Sequence, residues 1–356
     1  MRVLHVICDL SGGGAERLVL GLCSERRCEQ EVATVMGGGA LEGAYAAAGV
    51  RVHLGSARTG IGGAREVSRL ARLASGFDLV HTHLFAGDTW GRLAARVARK
   101  PVVTTEHNVN RDERGRHRLV KRALAGSSDR LVFVSRAARA WAERVEGIRH
   151  AHAVVIPNGI DLARFQPAAP GPGTRFLAVG RDVPQKGFDV LLAALPDGVH
   201  LRIAGTSSRR GVQQVRGATV EWLGAREDVP ALMAASDVLV VPSLWEGFGL
   251  VALEGMAAGL PVVASAVDGL PELLGDAGVL VPPGDARALG SALGRVREDA
   301  GLRARSGAAG LARSVSFSIQ RCASAYAALY EGLVETGRRD DGTLTNSRFQ
   351  IVAEIR

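Results

Sequence analysis

Residues 236–272 read SDVLVVPSLWEGFGLVALEGMAAGLPVVASAVDGLPE, and the rest of the chain arranges itself around them. Asp237 to Val241 is a short apolar run closed by Pro242, the pattern of a buried parallel strand. A glycine turn follows, with Gly247 and Gly249 flanking Phe248, and Leu250 to Ala258 then reads as a helix stopped by Gly259 and Pro261. Leu260 to Ala264 is the next buried strand. A strand that runs through a glycine turn into a helix N-terminus binds anions. Glu246 and Glu254 bracket this turn. Two carboxylates beside an anion site imply a ligand that also carries hydroxyls.

Outward from this stretch the strand–helix rhythm continues both ways. Upstream, strands are predicted at Val3–Ile7, Glu31–Met36, Val50–Leu54, Asp78–His81, Pro101–Thr105, Arg130–Val134 and Val154–Ile156. Helices are predicted at Arg17–Ser24, Leu41–Ala48, Glu66–Ala74 and Gly87–Val97, with another capped by Ser135, and Gly60–Gly63 as a mobile loop. The stretch 167–173 (PAAPGPG) reads as a linker. Beyond it, strands are predicted at Phe176–Val179, Leu201–Ala204, Val220–Leu223 and Val279–Val281, with helices at Phe188–Leu195, Asp228–Ala235, Ala286–Val296 and Gly301–Val315. This alternation argues for α/β architecture with parallel sheets covered on both faces. At 356 residues the chain suits two domains. They are drawn at 1–167 and 168–317, with a helix at 318–335 returning toward the first domain and a polar tail at 338–356.

Composition narrows the classes. Cys8, Cys23, Cys28 and Cys322 form no CxxC pair, so free thiols in a reducing compartment are expected. The first strand starts at Arg2, leaving no room for a leader, and no apolar run reaches membrane-spanning length. A cytoplasmic protein is expected, peripheral at most on the inner face of the membrane. Residues 1–165 hold 25 Lys and Arg against 16 Asp and Glu, whereas the remainder holds 19 against 20. The excess lies in residues 92–149, with 15 basic and 6 acidic side chains, the densest run being Arg111–Lys121 followed by a helix to about Gly126. Such a face suits an anionic bilayer, a phosphate-bearing substrate or simply solvent. Nucleic acid is disfavoured, because no aromatics are spaced as stacking platforms.

Candidate ligand contacts cluster at predicted strand ends, where open α/β sheets bind ligands. Gly12, Gly13 and Gly14 follow the first strand, without the GxGxxG dinucleotide fingerprint or a Walker lysine. Arg181 and Lys186 stand between a strand end and a helix start, where two cations would neutralise a diphosphate. His81, His83 and His107 lie near strand ends. The HTH pair is read here as facing opposite ways, one packed and one at the edge, which argues against a metal centre. His107, beside Glu106 and Asn108, is the stronger functional candidate.

Taken together, SGGGAERL at 11–18, TEHN at 105–108, VSRAA at 134–138, VIPNGID at 155–161, VGRDVPQKGFDVLLAA at 179–194 and the paired glutamates of EGFGLVALE at 246–254 resemble glycosyltransferase family 4. The resemblance runs to about residue 333. It implies the GT-B fold, two Rossmann-like βα domains with an inter-domain cleft. It further implies a retaining, metal-independent hexosyltransferase with a nucleoside-diphosphate sugar as donor, UDP-sugar favoured, and no tightly bound cofactor.

By position, Gly13 and Gly14 would approach the donor diphosphate, and Arg181 and Lys186 would bind its phosphates. Glu246 would lie near the transferred sugar, Gly247, Phe248 and Gly249 would offer backbone N–H groups, and Glu254 would hold the ribose. His107 would line the sugar and acceptor side, while the base would pack near Gly205, Trp222 and Leu223. One local departure is the DVPQ lead-in between Arg181 and Lys186, where many members are shorter or more apolar. Glu254 being assigned to the ribose, no second acid stands beside Glu246 as in a hydrolase. Front-face attack with the leaving phosphate taking the acceptor proton is the mechanism the resemblance implies. The expected acceptor is lipid-linked, in surface polysaccharide or glycolipid synthesis, with weak association to anionic membrane. The alternatives are a soluble secondary-metabolite or amino-sugar acceptor, or a sugar-nucleotide binding module or epimerase without transfer.

Overall fold

The computed structural model describes residues 1–57, 63–109, 111, 115–167 and 171–337. Two compact units emerge, one from Met1–Gly159 with the chain from Ile319 onward, the other from Ile160–Ser318. The division falls before the expected boundary at 167 because Ile160 is already tied into the second unit. Its N–H donates to the Phe317 carbonyl at 3.1 Å, and it forms a parallel bridge with Ser318. Residues 168–170 of the expected linker, 60–62 of the expected loop and the tail from 338 lie outside the described residues.

In the first unit the order is β1 (Arg2–Ile7), α1 (Gly14–Ser24), β2 (Glu29–Thr34), α2 (Glu42–Ala47), β3 (Val52–His53), α3 (Gly63–Ala74), β4 (Leu79–His83) and α4 (Phe85–Ala98). It continues with β5 (Val102–Glu106), α5 (Gly115–Leu124), β6 (Arg130–Phe133), α6 (Arg136–Trp141) and β7 (Ala153–Val155). Seven parallel strands lie in the order β3-β2-β1-β4-β5-β6-β7, so the order reverses between β1 and β4. Ser135 caps α6 by accepting from Ala138 N–H at 3.0 Å.

The second unit contains β8 (Arg175–Val179), α7 (Phe188–Ala194), β9 (His200–Ala204), β10 (Gly211–Val215), β11 (Ala218–Gly224), α8 (Val229–Ala234) and β12 (Val238–Val241). Then come α9 (Leu250–Ala257), β13 (Val262–Ser265), α10 (Gly269–Leu274), β14 (Val279–Val281), α11 (Ala286–Glu298) and α12 (Ala300–Ser314). Its strand order is β10-β11-β9-β8-β12-β13-β14, parallel except for β10 on β11, and the reversal falls between β8 and β12. Asp237 does not belong to β12. Its carboxylate accepts from the backbone of Gly173, Thr174 and Arg175 at 2.8–3.0 Å and pins the start of β8. Burial pushes this carboxyl up, but the Arg175 guanidinium and those amides outweigh it and hold it below the usual range.

The last helix, α13 (Ile319–Gly337), belongs to the first unit. Ile319, Tyr326, Leu329, Tyr330 and Leu333 pack with Val3, Leu18, Leu22, Leu79, Val103, Val132 and Ile156 in one core. Apolar side chains buried from strands and helix alike supply the main favourable term for this unit.

Three expectations need correction. The basic run is not a loop leading to a helix: α5 begins at Gly115, inside it, and Lys121 is buried between Glu106 (2.9 Å) and Glu146 (3.1 Å). β10 and α10 were not expected. Most importantly, His81 and His83 do not face opposite ways. Side chains two apart on a strand share a face, and the two rings lie 4.0 Å apart, both fully buried.

Candidate functional site

The β8–β12 reversal is where an open α/β sheet places its ligand crevice, beyond the strand C-termini. β8 ends at Val179, and Gly180 and Arg181 follow it. Arg181 is exposed, and its guanidinium has no hydrogen-bond or ion-pair partner among the described residues. A single 3₁₀ turn, Pro184–Lys186, then precedes Gly187 and α7. Lys186 therefore closes that turn and does not open α7. Its ammonium reaches across to the loop after β12 and pairs with Glu246 Oε2 at 2.6 Å. Ser243 Oγ donates to the same carboxylate oxygen at 3.3 Å.

The Glu246 backbone is held as firmly. Its N–H donates to Asp268 Oδ2 at 3.0 Å, and its carbonyl accepts from Gly269 N–H at 3.3 Å. Asp268 sits at φ +44°, ψ −115°, a sparsely populated conformation for a residue with a side chain. Gly249 precedes α9 at φ +99°, and a Cβ there would come within 2.5 Å of Leu270 Cδ2. Only glycine fits. Phe248 turns its ring inward against Phe317, centroids 5.8 Å apart, and Gly247, Phe248 and Gly249 are all buried. Glu254 is half-buried on α9.

Gly205 follows β9. A Cβ on it would lie 1.8 Å from the Gly180 carbonyl oxygen, so its first duty is to let two strand ends approach. Trp222 on β11 is a core residue, 5% exposed. Its ring meets Phe188 edge-on at 6.1 Å, and the Arg209 guanidinium lies 5.1 Å from its centroid. Leu223 is half-buried. Arg209 in turn pairs with Asp182 (3.4 Å) and Asp189 (2.7 Å).

In the first unit, Gly13 is the residue before α1, and Gly14 is its first helical residue. A Cβ on Gly13 would lie 2.6 Å from Glu16 Oε2, so the carboxylate of this third helical position turns back toward the helix start. His107 directly follows β5 and is 9% exposed. Its Nε2 lies 3.0 Å from His83 Nδ1, and His83 Nε2 lies 3.0 Å from His5 Nδ1. His81 bonds Tyr330 at 2.7 Å and Thr105 at 2.8 Å. Burial holds His5 and His107 down at about 4, and His81 and His83 well below the usual histidine range. Neighbouring Glu106 is pushed up by burial but held below the usual range by Lys121 and Arg92.

His5, His81 and His83 carry nitrogens within 4.8 Å of one another, a spacing a metal could use. All three rings have both nitrogens in hydrogen bonds, which is the alternative use of the same lone pairs. Sequence reading missed His5, Ser243 and Asp268. His5 had a signal: it is the one polar side chain inside the otherwise apolar run Val3–Ile7.

Comparison with known proteins fixes the class. Residues 12–164 match the profile described as Glycosyltransferase Family 4, and residues 173–299 that of Glycosyl transferases group 1. Among solved structures, the Anabaena Alr3699/HepE complex with UDP-glucose superposes with TM-score 0.81 at 22% identity, covering 94% of this chain and all of that one. Sucrose-phosphate synthase from Thermosynechococcus elongatus gives 0.77 at 21%, with the same coverage. The fold is that of the GT-B glycosyltransferases.

Among curated proteins, the phosphatidyl-myo-inositol mannosyltransferase of Mycobacterium leprae is 34% identical over 74% of this chain and 75% of its own length. A D-inositol 3-phosphate glycosyltransferase of Xylanimonas cellulosilytica is 33% identical over 71% of this chain and 72% of its own. The chain belongs to glycosyltransferase family 4.

Proposed function

We propose that this glycosyltransferase is a retaining, metal-independent hexosyltransferase whose donor is a nucleoside-diphosphate sugar, UDP-sugar favoured. Its acceptor is a hydroxyl of a phosphorylated inositol, lipid-linked or free, in glycolipid or surface-polysaccharide synthesis. The observation that carries the donor half is the cluster at the β8–β12 reversal. There Arg181, without a side-chain partner among the described residues, follows β8, and Lys186 pairs with Glu246 in the loop that leads to α9. As the anomeric C–O bond breaks, negative charge grows on the leaving diphosphate. Two cations and the amides of 247–249 offset that charge without a metal. The acceptor oxygen bonds to the anomeric carbon on the face the diphosphate leaves, and the acceptor proton passes to a phosphate oxygen.

Glu246, clamped by Lys186, Ser243 and Asp268, contacts the transferred sugar, while Glu254 receives the ribose hydroxyls. Gly205 and Leu223 border the base, and Trp222 backs that wall from the core. His107 contacts a sugar or acceptor hydroxyl. The Glu16 carboxylate close to the Gly13–Gly14 turn is a like charge to phosphate, which favours a hydroxyl as that turn's neighbour.

The acceptor reading rests on what two groups of relatives share by name, an inositol bearing a phosphate. No helix among the described residues is long and apolar enough to cross a membrane. Weak contact with anionic lipid on the cytoplasmic side is assigned to α5, where Arg116 and Arg122 are exposed and Leu119 is 69% exposed. Each such cation adds about 1 kcal/mol near an anionic surface.

The test is a panel of nucleotide sugars offered with phosphatidylinositol vesicles and with soluble inositol phosphate, in excess chelator. Transfer with retained anomeric configuration is expected. An inverted product, strict dependence on an added divalent ion, or donor turnover indifferent to both acceptors would overturn the corresponding part. Failure to co-sediment with anionic vesicles at low salt would leave the free inositol phosphate as acceptor.

A further inference from the structure

Gln30, His5, His83 and His107 form a single file of hydrogen bonds through the interior of the first unit. The Gln30 amide starts it, with Oε1 at 2.8 Å from His5 Nε2. His5 Nδ1 meets His83 Nε2 at 3.0 Å, and His83 Nδ1 meets His107 Nε2 at 3.0 Å. His5 and His83 are fully buried.

The file has a direction, set at its remote end. Gln30 Nε2 lies 2.9 Å from the carbonyl oxygen of Leu22, in the last turn of α1. A carbonyl only accepts, so the amide nitrogen must occupy that side and the amide oxygen must face His5. That oxygen also only accepts, so His5 carries its proton on Nε2 and offers a lone pair at Nδ1. His83 must then donate from Nε2 and accept at Nδ1, and His107 must donate from Nε2. Each step assumes neutral rings. Burial, which keeps all three well below their ordinary pKa, meets that condition. His107 Nδ1 is left as an unprotonated lone-pair nitrogen, and it is the one ring nitrogen of the three without a partner among the described residues. His81 lies outside the file. Its partners are hydroxyls of Thr105 and Tyr330, which can donate or accept, so nothing fixes its tautomer.

We propose that Gln30, His5 and His83 are positioning residues that hold His107 as the Nε2–H tautomer, so that Nδ1 meets the ligand as a hydrogen-bond acceptor for a hydroxyl. This rests on the reading of His107 as a substrate contact. A site built to accept from a hydroxyl discriminates against a ligand lacking it, because the lone pair would then stay unpaired. A lone histidine would exchange between tautomers and lose this selectivity. The file removes the choice without placing a charge near the reaction.

The test is ¹⁵N NMR of the full chain with labelled histidine. Expected in the unaltered protein is a pyrrole-type Nε2 and a pyridine-type Nδ1 at His107. Gln30→Met removes the acceptor at the far end, and His107, two rings away, should then show a mixed tautomer. Transfer kcat should fall about tenfold, with donor Kd unchanged. Gln30→Glu, whose carboxylate when ionised only accepts, should restore the single tautomer at His107 above the carboxyl's pKa, whatever it does to thermal stability. A purely structural role for Gln30 would move stability and leave the tautomer alone, and that result would overturn the proposal. So would an Nδ1–H tautomer in the unaltered protein, or zinc-induced shifts of the His5, His81 and His83 nitrogens. If the tautomer responds as expected and transfer does not, the file stands and the reading of His107 as a substrate contact falls.

Discussion

Arg181 and Lys186 carry the same charge in different company, and this separates what their loss should do. Arg181 is exposed and makes no polar side-chain bond among the described residues. Arg181→Ala should therefore lower turnover by roughly 10²–10³ while leaving the urea midpoint unchanged. Lys186 is bonded to Glu246 at 2.6 Å. Lys186→Ala should cost a similar factor in rate and in addition about 1–2 kcal/mol of stability, because a half-buried carboxylate loses its partner. Steady-state rates with saturating donor, and urea unfolding of both variants, check the pair. A rate change below about threefold in either would remove that residue from the diphosphate. The two cations and the glutamate could be picked from the sequence because each follows a strand end. Their pairing could not, since sixty positions separate the partners and nothing local marks it. Asp268 was hidden for the opposite reason: it sits inside the most informative stretch as one more loop aspartate, and only its backbone angles and its bond to Glu246 mark it out.

At the scale of elements, β1, β4 and β5 deliver buried histidines that have given up their charge. All four have folded pKa values below the model-peptide value of 6.5, with His5 and His107 near 4. The unfolded chain therefore binds more protons than the folded one between about pH 6.5 and 4, so stability falls as pH falls through that window and is flat above it. Each unit of depression is worth about 1.4 kcal/mol, and several coupled rings should make the acid transition steep. The groups bonded to the rings, Gln30, Thr105 and Tyr330, and Tyr326 bonded in turn to Thr105, stay uncharged throughout, and burial raises both phenols further. Urea titrations between pH 7 and 4.5 should show the midpoint dropping most steeply below 6.5. A midpoint insensitive to pH there would mean the rings are solvated.

Elements whose pattern reflects burial were readable. β12 is apolar throughout and β13 is apolar up to its closing Ser265, because both faces are covered. β10 was not, because GVQQV is an exposed antiparallel edge whose polar side chains carry no burial signal. α5 was hidden in its own charge, and the histidine face was misjudged although strand periodicity alone decides it.

For the molecule as a whole, the polypeptide enters the second unit at Ile160 and leaves it at Ser318, and α13 is needed to finish the first. Ending the chain after Ser318 would expose the side chains of β1, β4, β5 and β6 that pack on α13, and free the His81 ring from Tyr330. The expected outcome is a protein whose first unit is protease-sensitive and lacks native tertiary signals, while residues 160–318, contiguous and with their own core, stay protected. Limited proteolysis with mass mapping would decide, and a protected fragment spanning 1–159 in the truncated chain would contradict it.

The same detour sets a timetable on the ribosome. Val3 and Leu79 emerge early, yet the helix that covers them is translated after a whole intervening unit. At about 5–20 residues per second, the apolar face of the nascent first sheet waits for many seconds. The region made first is thus the region finished last, and it is there that a chaperone would bind during synthesis.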